Sequence, residues 1–92
     1  RELAEETGYF SESWELIGEV AVNPAFMTNS CGFVLAKNCE LKQSQNLDPL
    51  EEINVHTLAL KDVAEKILRG EIKHSLVVCA IGLLKIKYPE LF

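Results

Sequence analysis

The order of apolar and polar residues predicts a helix and then a strand in the first part of the chain. Residues 1–7 are helix formers around a single leucine, and Gly8 follows them as a residue that commonly ends helices. Residues 14–22 alternate apolar with acidic side chains, a pattern typical of a strand with one buried face. Asn23 and Pro24 favour a break, so we expect the strand to end there.

The middle of the chain favours two more strands and two loops. Residues 31–36 are rich in strand formers, and residues 53–57 alternate apolar and polar side chains, so each is predicted to be a strand. Residues 26–30 are expected to form a loop. Residues 37–49 are polar without a clear period, so a second loop is expected there.

Two helices are predicted in the last third of the chain. Residues 60–69 are amphipathic, and Gly70 follows them as a helix-ending residue. Residues 74–87 are apolar nearly all round up to Leu84, which predicts a buried helix, and Pro89 ends it. The order of helix, three strands and two helices indicates a single domain of the mixed α/β or α+β class.

Composition and charge restrict the kinds of partner. The 92 residues are 48% hydrophobic and 25% charged, which is globular composition. The net charge of -5 argues against a nucleic-acid or anionic-membrane partner, because neither is attracted to a negative surface. The longest apolar run, residues 76–84, is too short to span a bilayer. We therefore expect no nucleic-acid and no membrane partner.

The cysteines indicate a reducing compartment. Cys31, Cys39 and Cys79 are widely spaced and form no CxxC motif or Cys/His cluster, so a zinc site is not expected. An odd number without a disulfide framework favours buried, inert thiols in a cytoplasmic protein. The charged opening residues, numbers 1–6, are unlike a secretion signal, which also favours the cytoplasm.

Three carboxylates are spaced for one face of the first helix. Glu2, Glu5 and Glu6 stand at i, i+3 and i+4, where like charges repel by roughly 0.2–0.5 kcal/mol per pair. A cation between them reverses that sign, and carboxylate oxygens suit Mg²⁺ or Mn²⁺. Arg1 can pair with Glu5 at i, i+4. Judged by spacing alone, a solvated acidic face is the alternative interpretation.

The string formed by these residues resembles a known motif. Residues 1–9, RELAEETGY, match the REUxEExGU half of the Nudix box, in which U is a bulky apolar residue. The chain therefore resembles the Nudix hydrolase superfamily. The upstream half of the box would precede residue 1. The resemblance thus implies that residues 1–92 are the C-terminal portion of a single Nudix domain, an α/β/α sandwich with a mixed sheet, without its N-terminal part.

The resemblance also implies a role for each motif residue. Glu2 and Glu6 correspond to the main ligands of Mg²⁺ or Mn²⁺, and Glu5 corresponds to a further ligand or to a carboxylate that supports the ligands. Arg1 corresponds to the residue that orients the box through ion pairs, and Gly8 closes the helix. The metal ions would bridge a diphosphate, neutralise its charge and activate a water molecule for attack on phosphorus.

Two later segments resemble the branch that hydrolyses ADP-ribose or nucleotide sugars. Pro24, sixteen residues after Gly8, corresponds to a marker of that branch, although it also reads as a plain strand terminator. Phe26 and Met27 follow it as candidate contacts to a base or sugar. Residues 48–55 resemble an acidic loop and strand, in which Glu51, and secondly Glu52, would supply a general base or another metal ligand. An exposed acidic turn is the alternative.

The leading hypothesis is a Mg²⁺- or Mn²⁺-dependent hydrolase. Its substrate would be a nucleoside diphosphate linked to another moiety, with ADP-ribose or a nucleotide sugar preferred. The products would be a nucleoside monophosphate and a phosphorylated partner. The alternatives are a non-catalytic Nudix-like domain that binds a nucleotide as a regulator, and an acidic protein-interaction domain. Because relatives of this type are often dimeric, a homodimer is also expected.

Overall fold

A computed structural model describes residues 1–23, 25 and 29–92 and shows a small mixed α/β protein. The elements in chain order are α1 (Glu2–Thr7), β1 (Tyr9–Phe10), β2 (Ser13–Ala21), β3 (Ser30–Lys37), β4 (Glu40–Leu41), α2 (Leu60–Leu68), α3 (Ser75–Lys87) and a 3-10 turn at Pro89–Leu91. Two antiparallel two-stranded sheets pair β1 with β4 and β2 with β3. In the first sheet Tyr9 lies opposite Leu41 and Phe10 opposite Glu40.

The residues group into two compact units. The first unit contains residues 1–15 and 35–56, and the second contains residues 16–34 and 57–92. The first unit therefore holds α1 and the β1–β4 sheet together with all five candidate carboxylates. The second unit holds α2 and α3.

Helix α1 ends where the sequence predicts it to end. Gly8 takes a left-handed conformation with φ 80°, and its N–H donates to Ala4 O at 2.8 Å. The hydroxyl of Thr7 donates to Leu3 O at 2.6 Å and accepts from the N–H of Tyr9 at 3.1 Å. The chain thus leaves the helix within one residue and enters β1. A Cβ at Gly8 would overlap the carbonyl oxygen of Gln43, so glycine is required by space as well as by φ.

A buried serine holds the corner between β1 and β2. Ser11 is 5% exposed, and its hydroxyl lies within hydrogen-bond distance of the carbonyl oxygens of Ser13 and Lys37. The same oxygen accepts from the N–H of Ser13 at 3.1 Å, and the Ser11 carbonyl accepts from the indole N–H of Trp14 at 2.9 Å. One small side chain therefore ties the corner to the end of β3.

The second unit is built on a close approach of α3 to β2. The Cα of Gly18 is so near α3 that an added Cβ would lie 3.1 Å from a methyl carbon of Leu83. The next residue, Leu84, is 6% exposed and is the one buried hydrophobic side chain among the residues described. His74 caps α3, because its Nδ1 accepts the N–H of Leu76 at 3.2 Å. Gly70 ends α2 with φ 78°, as predicted.

Three sequence predictions about this fold are wrong. Residues 53–57 form no strand, because alternation specifies a pattern of faces but does not supply the backbone partner that a strand requires. The predicted loop at 37–49 contains β4, a strand too short to show a period. Helix α3 is not buried all round: Val77 is 42% exposed and Ile86 is 80% exposed. The described residues therefore cover only part of the surface of this helix.

The cysteine side chains also differ from expectation. All three thiols are free, but Cys39 and Cys79 are exposed and Cys31 is half-buried, so burial does not make them inert. Within the part of the chain that is described, no helix is long and apolar enough to cross a membrane.

The two glycines with positive φ provide a matched pair for a stability test. Gly8→Ala is expected to lower the free energy of unfolding by at least about 2 kcal/mol, because strain at positive φ adds to the overlap with Gln43. Gly70→Ala meets nothing within 4 Å and should cost only about 1 kcal/mol. Urea denaturation of both variants checks this. Equal losses would show that the contact at Gln43 contributes nothing.

The Ser11 corner leads to a second stability test. Ser11→Ala removes one hydrogen bond to the Ser13 N–H and one to the Lys37 carbonyl, so we expect a loss of about 1–2 kcal/mol. Ser13→Ala, an exposed serine two residues along, should change stability by less than about 0.5 kcal/mol. Thermal melts followed by circular dichroism compare the two. A Ser11→Ala protein as stable as Ser13→Ala would refute this account of the corner.

Candidate functional site

The acidic face predicted for α1 is present, and Arg1 lies against it. Arg1 Nε is 3.6 Å from Glu5 Oε1, and Arg1 Nη2 is 3.5 Å from Glu2 Oε1. The predicted Arg1–Glu5 pair is therefore confirmed. Arg1 is 82% exposed, so each pair stabilises the protein by less than about 1 kcal/mol. Its main effect is to offset the repulsion between Glu2 and Glu5. Glu6 on the same helix is half-buried.

The segment after β4 supplies hydrogen bonds to the carboxyl end of α1. The last carbonyls of a helix have no partner within the helix. Two short hydrogen bonds supply partners for these carbonyls. Asn46 N donates to Glu5 O at 2.6 Å, and Gln45 Nε2 donates to Glu6 O at 2.7 Å. Further donors are the main-chain N–H groups of Lys42 and Gln43, to Gly8 O, and the Gln43 side chain, to Ala4 O. Residues 42–46 therefore fix the position of α1.

The acidic segment 48–51 forms a tight turn that its own side chain closes. The N–H of Asp48 donates to Glu51 Oε1 at 2.8 Å, and the N–H of Glu51 donates to Asp48 O at 2.9 Å. Glu51 is half-buried and Glu52 is exposed. The Asp-x-x-Glu spacing is that of a capping box. The sequence therefore contains a local signal for this turn, which is independent of the resemblance to the Nudix family.

The side chain of Gln45 links α1 to Ile53, which follows the acidic segment 48–51. Gln45 Nε2 donates to Glu6 O at 2.7 Å and to Ile53 O at 3.0 Å. Glu51 and Glu52 lie two and one residues before Ile53, and all of these residues belong to the first unit. Nothing in the sequence distinguishes Gln45, because a lone amide in a polar segment matches no motif.

Among the hollows on the described part of the first unit is one of about 140 Å³, lined by residues that include Arg1, Leu3 and Ala4. Two others are larger. One, of about 400 Å³, is lined by residues that include Thr7, Tyr9, Gln45 and Val55, so it borders the end of α1. The other, of about 300 Å³, is lined by Phe10, Glu12, Ser13, Lys37, Asn38, Glu40 and Lys42. Two lysines and two glutamates line this second hollow, so its formal charges balance and do not favour an anion. Lys42 Nζ also lies 4.7 Å from the centre of the Phe10 ring.

The metal and substrate assignments remain predictions. Within residues 1–23, 25 and 29–92, no three His, Cys, Asp or Glu side chains form a group that could hold a metal ion. The donor set on α1 consists of carboxylates, which is the chemistry that Mg²⁺ and Mn²⁺ prefer. The three residues predicted to contact substrate, Pro24, Phe26 and Met27, lie outside the described residues. Comparisons with protein-family models, curated proteins and solved structures found no match to this chain.

The turn at Asp48 leads to a test of the role of Glu51 in folding. Glu51→Ala removes the acceptor for the Asp48 N–H and should lower the free energy of unfolding by about 1 kcal/mol. Glu52→Ala changes an exposed neighbour and should cost less than about 0.5 kcal/mol. Denaturant titration measures both. If Glu51→Ala were no less stable than Glu52→Ala, the side chain would not hold the turn.

Proposed function

We propose that the chain is the C-terminal portion of a Nudix domain that hydrolyses a nucleoside diphosphate linked to another moiety. The proposal includes the α/β/α sandwich with a mixed sheet, to which the described helices and small antiparallel sheets would contribute. The observation that carries it is the string RELAEETGY at residues 1–9, which combines the motif residues with a helix that ends at the motif glycine.

The local structure of α1 supports the proposed roles. The motif needs a short helix whose carboxylates are held on one face and whose end is fixed. Glu2, Glu5 and Glu6 lie within one six-residue helix, Arg1 pairs with two of them, and Gly8 takes the left-handed conformation that ends it. A solvated acidic face would require neither the ion pairs of Arg1 nor the hydrogen bonds that fix the end of the helix.

In this proposal Glu2 and Glu6 hold Mg²⁺ or Mn²⁺, with Glu5 as a further ligand or as support for the other two. The bound cation would supply charge neutralisation for the diphosphate and a more acidic water molecule. Arg1 acts on the ligands, because its two ion pairs restrict the rotamers of Glu2 and Glu5. The cation that neutralises the substrate would thus be held by residues of one short helix.

The proton of the attacking water goes to Glu51 in this proposal, with Glu52 as the second candidate. Because Glu51 Oε1 accepts the Asp48 N–H, the carboxylate has a fixed orientation and Oε2 is the atom assigned to take the proton. The water oxygen bonds to phosphorus, and the bridging P–O bond breaks with its electron pair on the leaving phosphate. The products are a nucleoside monophosphate and a phosphorylated partner.

ADP-ribose or a nucleotide sugar is the proposed substrate, because Pro24 corresponds to the marker of that branch. Phe26 and Met27 are the proposed contacts to the base or sugar. A homodimer is proposed with it. We also propose a cytoplasmic setting, which the three free thiols support, since two of them are exposed.

A carboxylate variant tests the catalytic proposal. In the full-length protein with Mg²⁺ or Mn²⁺, Glu6→Gln should lower kcat/KM for ADP-ribose or a nucleotide sugar by at least about 100-fold, since even groups that only orient a metal ligand are worth about 10- to 100-fold. Glu65→Gln, an exposed glutamate of α2, is the matched control and should retain activity. Release of nucleoside monophosphate, followed by chromatography, is the measurement.

Two outcomes would contradict the proposal. If the unaltered protein hydrolyses neither ADP-ribose nor any nucleotide sugar with Mg²⁺ or Mn²⁺, the proposed catalytic function is wrong. Tight ADP-ribose binding without hydrolysis, measured by calorimetry, would instead favour the non-catalytic regulatory alternative. Equal activity of Glu6→Gln and Glu65→Gln would remove Glu6 from the site.

A further inference from the structure

A single nitrogen atom of Gln45 connects α1 with Ile53, just after the acidic segment 48–51. This atom, Nε2, donates to Glu6 O in α1 and to Ile53 O beyond the acidic turn, at 2.7 and 3.0 Å. We infer that Gln45 is a positioning residue of the hydrolase, which holds the segment carrying Glu51 at a fixed place relative to Glu6. This inference rests on the proposed function and assigns no contact between Gln45 and the substrate.

The chemistry of a carboxamide suits this connection. The –NH₂ group of glutamine has two N–H donors, so it can serve two carbonyl oxygens at once. One acceptor, Glu6 O, belongs to the carboxyl end of a helix, where carbonyls lack partners and carry partial negative charge. The other, Ile53 O, belongs to a segment without helix or strand. Each acceptor needs a donor from elsewhere in the chain.

The chain that follows the acidic turn depends on such an external connection, because the bond from Asn46 N to Glu5 O ties only the chain before the turn to α1. The two hydrogen bonds between Asp48 and Glu51 fix the shape of the turn but do not tie it to α1. Residues 51–59 take part in no sheet that would hold them in place. A bond at Ile53 restricts the chain two residues after the proposed base. In a reaction that depends on the separation of base and ligand, a misplacement of about 1 Å costs about 100-fold in rate.

Gln43 provides a matched control two residues earlier. It has the same side chain, is also exposed, and also donates to a carbonyl of α1, Ala4 O, at 3.3 Å. Its side chain makes no bond to Ile53 among the contacts of the described residues. Substitution at either position therefore removes a side-chain bond to α1, but only substitution at Gln45 also removes the bond to Ile53, while the main-chain bond from Asn46 N to Glu5 O remains in both variants.

The test replaces each glutamine by methionine, which has a similar length and no N–H donor, in the full-length protein. Gln45→Met should lower kcat for ADP-ribose hydrolysis by about tenfold or more with KM changed less than about threefold, because positioning acts on the chemical step. Gln43→Met should keep kcat within about twofold. Gln45→Lys, which restores N–H donors and places a cation at the helix carboxyl end, should recover most of the rate.

A second readout is independent of activity. In NMR spectra, the backbone amides of Glu51 to Ile53 should shift in Gln45→Met and stay in place in Gln43→Met. A Gln45→Met protein with unchanged kcat, or with unchanged amide signals, overturns the inference while the proposed function stands. Low kcat in Gln45→Lys at an unaltered melting temperature also overturns it. If the unaltered protein hydrolyses no substrate, the proposed function is wrong, and the inference about Gln45 is wrong with it.

Discussion

The termination of α1 is the constraint on which the first unit depends. A helix of six residues cannot satisfy its own terminal groups, and it exposes carbonyls that must find donors elsewhere. Gly8 supplies one solution by turning left-handed and donating back to Ala4. The Thr7 hydroxyl donates to Leu3 O, and residues 42–46 supply further main-chain and side-chain N–H donors. The short helix is therefore stabilised by a distant segment more than by its own propensity.

The same constraint explains why the acidic residues belong to one unit. The segment that serves the helix end also carries Gln45, and Gln45 reaches Ile53 beyond the acidic turn. A requirement of helix geometry thus connects two groups of carboxylates that are far apart in the chain. Repulsion within the helix is offset locally by Arg1, while Glu51 is oriented by the turn at Asp48. Folding and the proposed chemistry use the same polar contacts, so stability and activity should be coupled in this unit.

The second unit contains a close apolar contact between α3 and β2. Gly18 lets Leu83 approach β2, and Leu84 is buried beside it. Apolar residues on the other sides of α3 stay exposed, and a groove of about 290 Å³ is lined by side chains of α2, α3 and Phe92. Hydrophobicity along α3 therefore indicates a helix, but the amount of covering chain determines how much of it is buried.

The sequence by itself determined the features that depend on neighbours in the chain. It predicted α1 and its end at Gly8, the pairing of Arg1 with Glu5, strands β2 and β3, and the two later helices, because helix signals, alternation and i, i+4 spacing act over a few residues. The tertiary structure decided what depends on distant partners. Residues 53–57 had the pattern of a strand but no strand to pair with, and β4 formed because Tyr9 and Phe10 lie opposite it. Gln45 acquired its place only when α1 and Ile53 came within reach of one amide, a contact that no local pattern encodes.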